Sequence, residues 1–384
     1  MPVVNEEKAL QYIEKLEDKE KRRNLLQLYE ELPYQYINDS PTMKHYTEWN
    51  EYESANLSIE EKTLPLPSVN IVVNDSFTKI FIIDNMIEGK DVEILNEPSS
   101  SLISPKDHKF SALILALSKR VRISKPGKYF IYHIVTEEKL FAPLNLDIEI
   151  ENGDSEIIYY AEVKGKFSFP ASLISLNVGE ASSLKFTHVT YTPSSYFFSY
   201  IKANIRGSLT SYYFSTMSKM AHVEAIYNLD KGAVSNFFAR ALGINDDKID
   251  MKLNVYHEGE KSLSNGTLKA VAADNSLTVV RGDAIIGEEA VGSSTSIYGK
   301  ALMLGQNARS VASPSLEVRT GDIELAKHSA SISKVPEDYI FYLKTRGFSQ
   351  REAESLIIRG FLIEDEDPEF VRELIDRNLK AVGY

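Results

Sequence analysis

Between about residue 66 and residue 333 the chain is written almost entirely in short runs of β-branched and aromatic residues, among them SVNIVV, KIFIID, KYFIYHIV, SEIIYYAEV and SLKFTHVTY. Such runs suit a pleated, half-buried surface and read as strands. Brief Gly, Asn, Asp or Pro punctuation separates them, and the pattern predicts no helix of ten residues in between, which disfavours an alternating βαβ sheet. So long a stretch makes an awkward single sandwich, whereas a β-helix or solenoid grows by stacking coils without a size limit. No strict repeat accompanies the runs, so the pattern predicts a stacked all-β body without fixing its period.

Both ends are helical in character. Ala9, Leu10, Ile13 and Leu16, then Leu25, Leu28, Tyr29 and Leu32, recur at helical spacing and predict a helix over 5–32 that Pro33 ends. The aromatic, turn-rich segment after it, with the single tryptophan Trp49, reads as a loop packed on a larger body. At the other end Pro336 suits a first helical position, and Tyr339, Ile340 and Leu343 lead to a stop at Gly347. Ser349 and Glu352 form a capping box for a second helix carrying Ala353, Leu356 and Ile357, and a third starts at Asp367 and Pro368. The chain thus divides into an N-terminal helical and loop region (1–65), a β body (66–333) and a C-terminal helical domain (334–384).

Composition narrows the chemistry. The net charge of -12 disfavours nucleic-acid binding, which draws on clustered Lys and Arg. No apolar run reaches membrane-spanning length, and the acidic start MPVVNEEKALQYIEK lacks the basic-then-apolar order of a signal peptide, which places the protein in the cytoplasm. The chain contains 0 cysteines, so it offers no disulfide, thiolate metal site or cysteine nucleophile.

Several motifs occur in an order that resembles one family, the SufB and SufD scaffold subunits of the Suf iron-sulfur cluster assembly system. PSLEVRTGDIELAKHSASISKV resembles the family's P-x-L-E-I segment with its acidic turn and histidine, carried here by Pro314, Leu316, Glu317, Asp322, His328, Ala330 and Val335. Phe341, Tyr342, Leu343, Arg346 and Gly347 resemble its F-Y-L-x-S-R-G helix, followed by the helix from Ala353 to Phe361. The stretch from Val255 to Ala290 is similar to its histidine, serine and G-x-I-x-V pattern, and SPTMKHYTEW, Ser40 to Trp49, is similar more loosely to its P-T-x-x-x-E-x-W element.

The resemblance implies a right-handed parallel β-helix between helical ends. It also implies a scaffold that pairs with a B-type subunit or a second copy of itself and docks an ABC-type ATPase, SufC, at its C-terminal helices. Tyr339, Tyr342, Leu343, Arg346, Gly347 and Phe361 are the partner-binding residues so implied. B-type subunits carry a cysteine near the position of Ser310 and often a glutamate where Ser329 stands, while D-type subunits commonly place a cysteine at the position of Ala326. The missing thiols favour a D-like accessory role, with no cluster held stably by this chain alone and a transient iron-sulfur cluster only within the complex.

His328 is the candidate cofactor-binding residue, at a subunit interface. A lone strand histidine is more often structural than functional. If Ile323 and Leu325 face the core, alternation puts Glu324, Ala326 and His328 on the outer face, suited to a subunit interface. Tyr342 and Arg346, four apart on one helix face, suit an incoming protein, although the same helix also suits a cap on the β body. EDEDPE, Glu364 to Glu369, reads as a solvated linker or a docking segment. The alternative class is a β-helix polysaccharide lyase or hydrolase, for which Asp283, Glu288 and Glu289 are generic candidates; no nucleophile elbow, P-loop, HExxH or dinucleotide Gly motif supports an assigned active site.

Overall fold

A computed structural model describes residues 3–34, 46–61, 76–364 and 367–381. Its centre is a parallel β-solenoid of about 7 turns. The chain enters it through helices α1 (Glu6–Ile13), α2 (Lys19–Glu31) and α3 (Trp49–Glu53), strands β1 (Thr78–Ile83), β2 (Met86–Gly89) and β3 (Glu93–Leu95), and helix α4 (Lys109–Leu117). Strands β4 (Arg120–Ile123) and β5 (Lys128–Val135) begin the coils, and β6 (Phe141–Val163) and β7 (Phe169–Tyr191) each run through a corner onto both faces. The remaining coils are β8 (Tyr196–Ile205) with β9 (Ser208–Thr216), β10 (Met220–Leu229) with β11 (Val234–Gly243), and β12 (Lys248–His257) with β13 (Leu263–Ala273). They continue as β14 (Leu277–Ile286) with β15 (Ser293–Leu304) and β16 (Arg309–Val318) with β17 (Ile323–Lys334).

Even-numbered strands from β8 to β16 stack in parallel register on one face and odd-numbered strands from β9 to β17 on the other. Each turn advances roughly 30 residues, within the range of solenoid repeats. Alternate side chains point between the faces and form the main core, including Val223, Ala225, Met251, Leu253, Leu268, Val280 and Ile297. Polar interior residues stack on their own kind from coil to coil: Ser264 Oγ lies 2.7 Å from Thr295 Oγ1, and Thr278 Oγ1 lies 3.0 Å from Ser310 Oγ.

The absence of a sequence repeat has a geometric reason. Where the chain leaves the second face, one residue per turn takes a positive φ, but its identity changes from Ser194 to Met217, Asn245, Asp274 and Gly305. The backbone repeats although the residues do not. The strand runs KIFIID, KYFIYHIV, SEIIYYAEV and SLKFTHVTY fall in β1, β5, β6 and β7, whereas SVNIVV lies outside the described residues.

Three helical expectations change, the first being that the segment with Trp49, read as a loop, carries the short helix α3. The helix read over 5–32 is two helices, because Asp18 adopts a left-handed conformation (φ 54) and the charged stretch EDKEKRR carries no apolar stripe across the break. Within the stretch read as all-β lies α4, whose residues from Phe110 to Leu117 are all buried. A helix apolar on every side shows no 3.6-residue period and cannot be told from a buried strand by pattern.

Helices α1 to α4 pack on the outside of the first face against Phe141, Phe169, Phe198, Tyr200 and Met220. Trp49 stacks on Tyr34 and sits 4.9 Å from the His222 ring, while Thr47 Oγ1 donates to the Asp250 carboxylate at 3.0 Å. Asp250 also receives Arg281 at 2.7 Å. On the second face helices α6 (Gln350–Leu362) and α7 (Glu369–Ala381) cover Phe130, Tyr160, Phe214, Leu242 and Val271, while α5 (Glu337–Thr345) buries no residue. Among the described residues no helix is long and apolar enough to cross a membrane.

Arg22 joins the N-terminal helices to one another. Fully buried, its guanidinium donates to the carbonyls of Leu115 (3.2 Å), Ala116 (2.9 Å) and Ser118 (2.9 Å) at the end of α4, and to that of Asn96. These are the acceptors a helix C-terminus leaves unsatisfied. Arg22→Ala strands them in a dry site and is expected to destabilise the fold by about 3 kcal/mol, read as a lower midpoint in denaturant.

Candidate functional site

Among the described residues the last coil has a neighbouring coil on one side only. Ala312 of β16 continues the interior column of Val280, and on β17 Ala326, His328, Ala330 and Ile332 oppose Thr295, Ile297, Gly299 and Ala301. One turn back this row is sealed, with Ile297 at 0% and Ala301 at 2% exposure, whereas Ile332 is 52% exposed. The solenoid interior therefore opens to solvent at this end, flanked by strand edges with no further coil to pair with.

His328 sits in that opening. The outward position read from strand alternation is wrong, because β17 carries a bulge: Ser293 opposes Ile323 but Ser294 opposes Leu325, leaving Glu324 over. One extra residue reverses the facing of every side chain after it. Ile323 stays on the interior row, Leu325 turns outward, and Ala326 and His328 come to the interior side. The ring remains exposed because no coil follows, and its Nδ1 lies 3.4 Å from the Pro314 carbonyl oxygen of β16. Among the described histidines it is the exposed one; His108, His133, His188, His222 and His257 are buried. Ser310, which the sequence resemblance put near a family cysteine, is buried against Thr278.

From β17 the chain passes through Val335, which is buried, directly into α5. Its aromatic residues stay outside: Tyr339 is 63%, Phe341 69% and Tyr342 55% exposed. The Arg346 guanidinium lies over the Tyr342 ring at 5.2 Å, so these two side chains stack on each other at the surface. Leu343 is half-buried, and Phe361 packs against the solenoid's second face, with the Lys269 ammonium 5.6 Å from its ring, instead of remaining exposed as the α5 aromatics do.

The exit from α5 is fixed locally. Gly347 has φ +96, its N–H donates to Lys344 O at 3.0 Å, and the Phe348 N–H donates to Leu343 O at 3.3 Å, a Schellman turn. The capping box follows at once, with Glu352 N–H donating to Ser349 Oγ at 3.3 Å and Ser349 N–H to Glu352 Oε2 at 2.7 Å.

The pattern required by the lyase or hydrolase alternative is missing around its first candidate. Asp283 is opposed by Asn254 on one neighbouring coil and Ser315 on the other, and Glu288 and Glu289 fall in the turn after β14. Among the described residues no group of three His, Asp or Glu is placed to hold a metal ion. The open interior row itself leaves no mark in the residue order, since Ile332 within SASISK looks like any half-buried strand residue.

Gly347 supplies a test of how α5 is held. An added Cβ would meet nothing within 4 Å, so the cost of Gly347→Ala comes from backbone strain alone. The substitution is expected to cost about 1–2 kcal/mol and to speed amide exchange in α5 and the start of α6 while leaving the solenoid protected.

Comparison with known proteins agrees with this architecture. The family model described as "SUF system FeS cluster assembly, SufBD core domain" matches residues 133–361, more than half of the chain. An iron-sulfur cluster assembly SufBD family protein of Mycobacterium tuberculosis is 33% identical over 135 residues, 35% of this chain and 33% of that one. A second from the same organism is 30% identical over 138 residues, 36% of this chain and 16% of the relative. The iron-sulfur cluster assembly protein SufD of Plasmodium falciparum is 29% identical over 155 residues, 40% and 10% of the two chains. The matched stretches thus span a third or less of these relatives. With a solenoid core, helical ends and the family match over residues 133–361, this chain belongs to the SufBD family of iron-sulfur cluster assembly proteins.

Proposed function

We propose that this chain is a non-catalytic scaffold subunit for iron-sulfur cluster assembly, which pairs through its open last coil with another β-helical subunit and docks an ABC-type ATPase of the SufC kind on α5. The observation that carries this reading is the exposed interior row of β17. A solenoid needs its end covered, and a row that is buried in every earlier coil is stable in water only when something replaces the missing turn. A second β-helix, either a B-type subunit or another copy of this chain, offers matching strand edges. His328 then lies inside the joint, where its imidazole can supply a nitrogen ligand or accept a proton.

With no cysteine, this chain contributes no thiolate to a cluster. The cluster is cargo, and its sulfur-bearing ligands come from the partner. The ATPase reading rests on the exposed aromatics of α5, the stacked Tyr342 and Arg346, and the turn and capping box that hold this helix in place. ATP chemistry belongs to the docked protein, and its nucleotide-driven movement shifts the scaffold only through different affinity for two scaffold arrangements.

Three measurements test the proposal. Full-length chain is expected to retain a SufC-type ATPase in a pull-down, while a chain ending at Val335 and Tyr342→Ala combined with Arg346→Ala lose it; undiminished binding by a folded truncation would place the contact elsewhere. His328→Ala is expected to lower assembly with the β-helical partner or cluster maturation in a complementation assay, and no change in either would return this histidine to a structural role. Reconstitution of the isolated chain with iron and sulfide is expected to leave it colourless after gel filtration, and a stoichiometric cluster on this chain alone would reject the division of ligands.

A further inference from the structure

The outer side of the second face carries a column of cations. Strand register sets Arg240 of β11 beside Lys269 of β13, Lys269 beside Lys300 of β15, and Lys300 beside Ser331 of β17. Neighbouring strands lie roughly 4.8 Å apart, and like charges directly opposite one another destabilise a sheet. The chain answers this charge twice with its own acidic linker between α6 and α7. The buried Asp367 carboxylate pairs with Arg240, and Glu364 Oε1 lies 2.6 Å from Lys269 Nζ.

Lys300 is the third cation in the column. It is exposed and has no acidic partner among the described residues. Beside it is a groove of about 580 Å³ lined in part by Lys269, Tyr298, Lys300, Ser329, Ser331 and Glu364. The groove thus combines one unanswered ammonium with a phenol and two serine hydroxyls, all able to donate hydrogen bonds to a carboxylate.

We propose that this groove binds an acidic peptide segment of a partner protein, one carboxylate of which takes Lys300 as Glu364 and Asp367 take the two cations before it. The occupied positions argue for a peptide, because both are filled by carboxylates three residues apart in one linker, Glu364 on Lys269 and Asp367 on Arg240. A nucleic acid is a poor fit: one unanswered cation in this column among the described residues, on a chain of net charge -12, gives a polyanion little to hold. The inference stands apart from the identity of whatever docks at α5.

The test uses the full-length chain and a fluorescein-labelled peptide of the linker's own sequence, Glu-Asp-Glu-Asp-Pro-Glu, read by fluorescence anisotropy at low ionic strength. The peptide is expected to bind and to weaken as salt rises, whereas the same peptide with every acid replaced by its amide binds at least about tenfold more weakly. Lys300→Glu is expected to reduce binding by about tenfold or more, and Lys300→Arg to retain it within about threefold. Glu364→Gln vacates the second cation and is expected to strengthen binding severalfold. Lys125→Glu, at an exposed ion pair elsewhere, serves as the control for net charge and is expected to leave binding unchanged. No binding by the wild-type chain, indifference to Lys300→Glu, or an equal loss in Lys125→Glu would overturn the proposal. Displacement of the peptide by inorganic phosphate at equal concentration would overturn it in favour of a small-anion site.

Discussion

In-register stacking of parallel strands is the constraint on which the rest of this molecule depends. Each coil satisfies its backbone and buries its inward side chains against the coil before and the coil after, so the stability of any turn is borrowed from its neighbours. The same rule that permits Ala225, Leu253 and Val280 to form a dry interior makes the final turn incomplete. The exposure of Ile332 and His328 is a consequence of the register that buries Ala301 and Ile297 one turn earlier. The open end of the solenoid is thus an unfinished part of its own core, exposed at β17.

The ends of the chain deal with the two outer faces differently. The N-terminal helices form an apolar layer on the first face, held by the buried Arg22 and by the contacts of Thr47 and Trp49 with the β10 and β12 strands. The C-terminal helices cover the second face, where the buried Arg240 and Asp367 fasten the linker between α6 and α7. Removing one member of such a pair leaves an unpaired buried charge, which is far more costly than losing an ion pair on the surface. This anchoring lets α6 and α7 serve the fold while α5, between the last strand and the first anchored helix, keeps its aromatic residues free.

Much of this was legible in the amino-acid order. The β-branched runs specified strands, their lack of intervening long helices specified stacking, and the Gly347 turn with the Ser349 and Glu352 box specified where α5 ends and α6 begins. These features depend on a residue and its near neighbours, through φ preference, capping and alternation, so they can be read without a partner strand. The family motifs around His328 and Tyr342 likewise lie within short segments.

Tertiary structure decided the rest. The single extra residue at Glu324, invisible without knowing what β17 pairs with, moved His328 from the outside of the coil to the interior row. The column of Arg240, Lys269 and Lys300 joins residues about 30 apart, and nothing in the local sequence marks them as neighbours. The all-buried α4 has no period to reveal it, and the separation of Phe361 from the exposed aromatics of α5 depends on what packs beneath α6. Local sequence fixed the conformations that local physics controls; register, bulge and end exposure were settled by pairing between distant segments, because only there does a side chain acquire its facing and its neighbours.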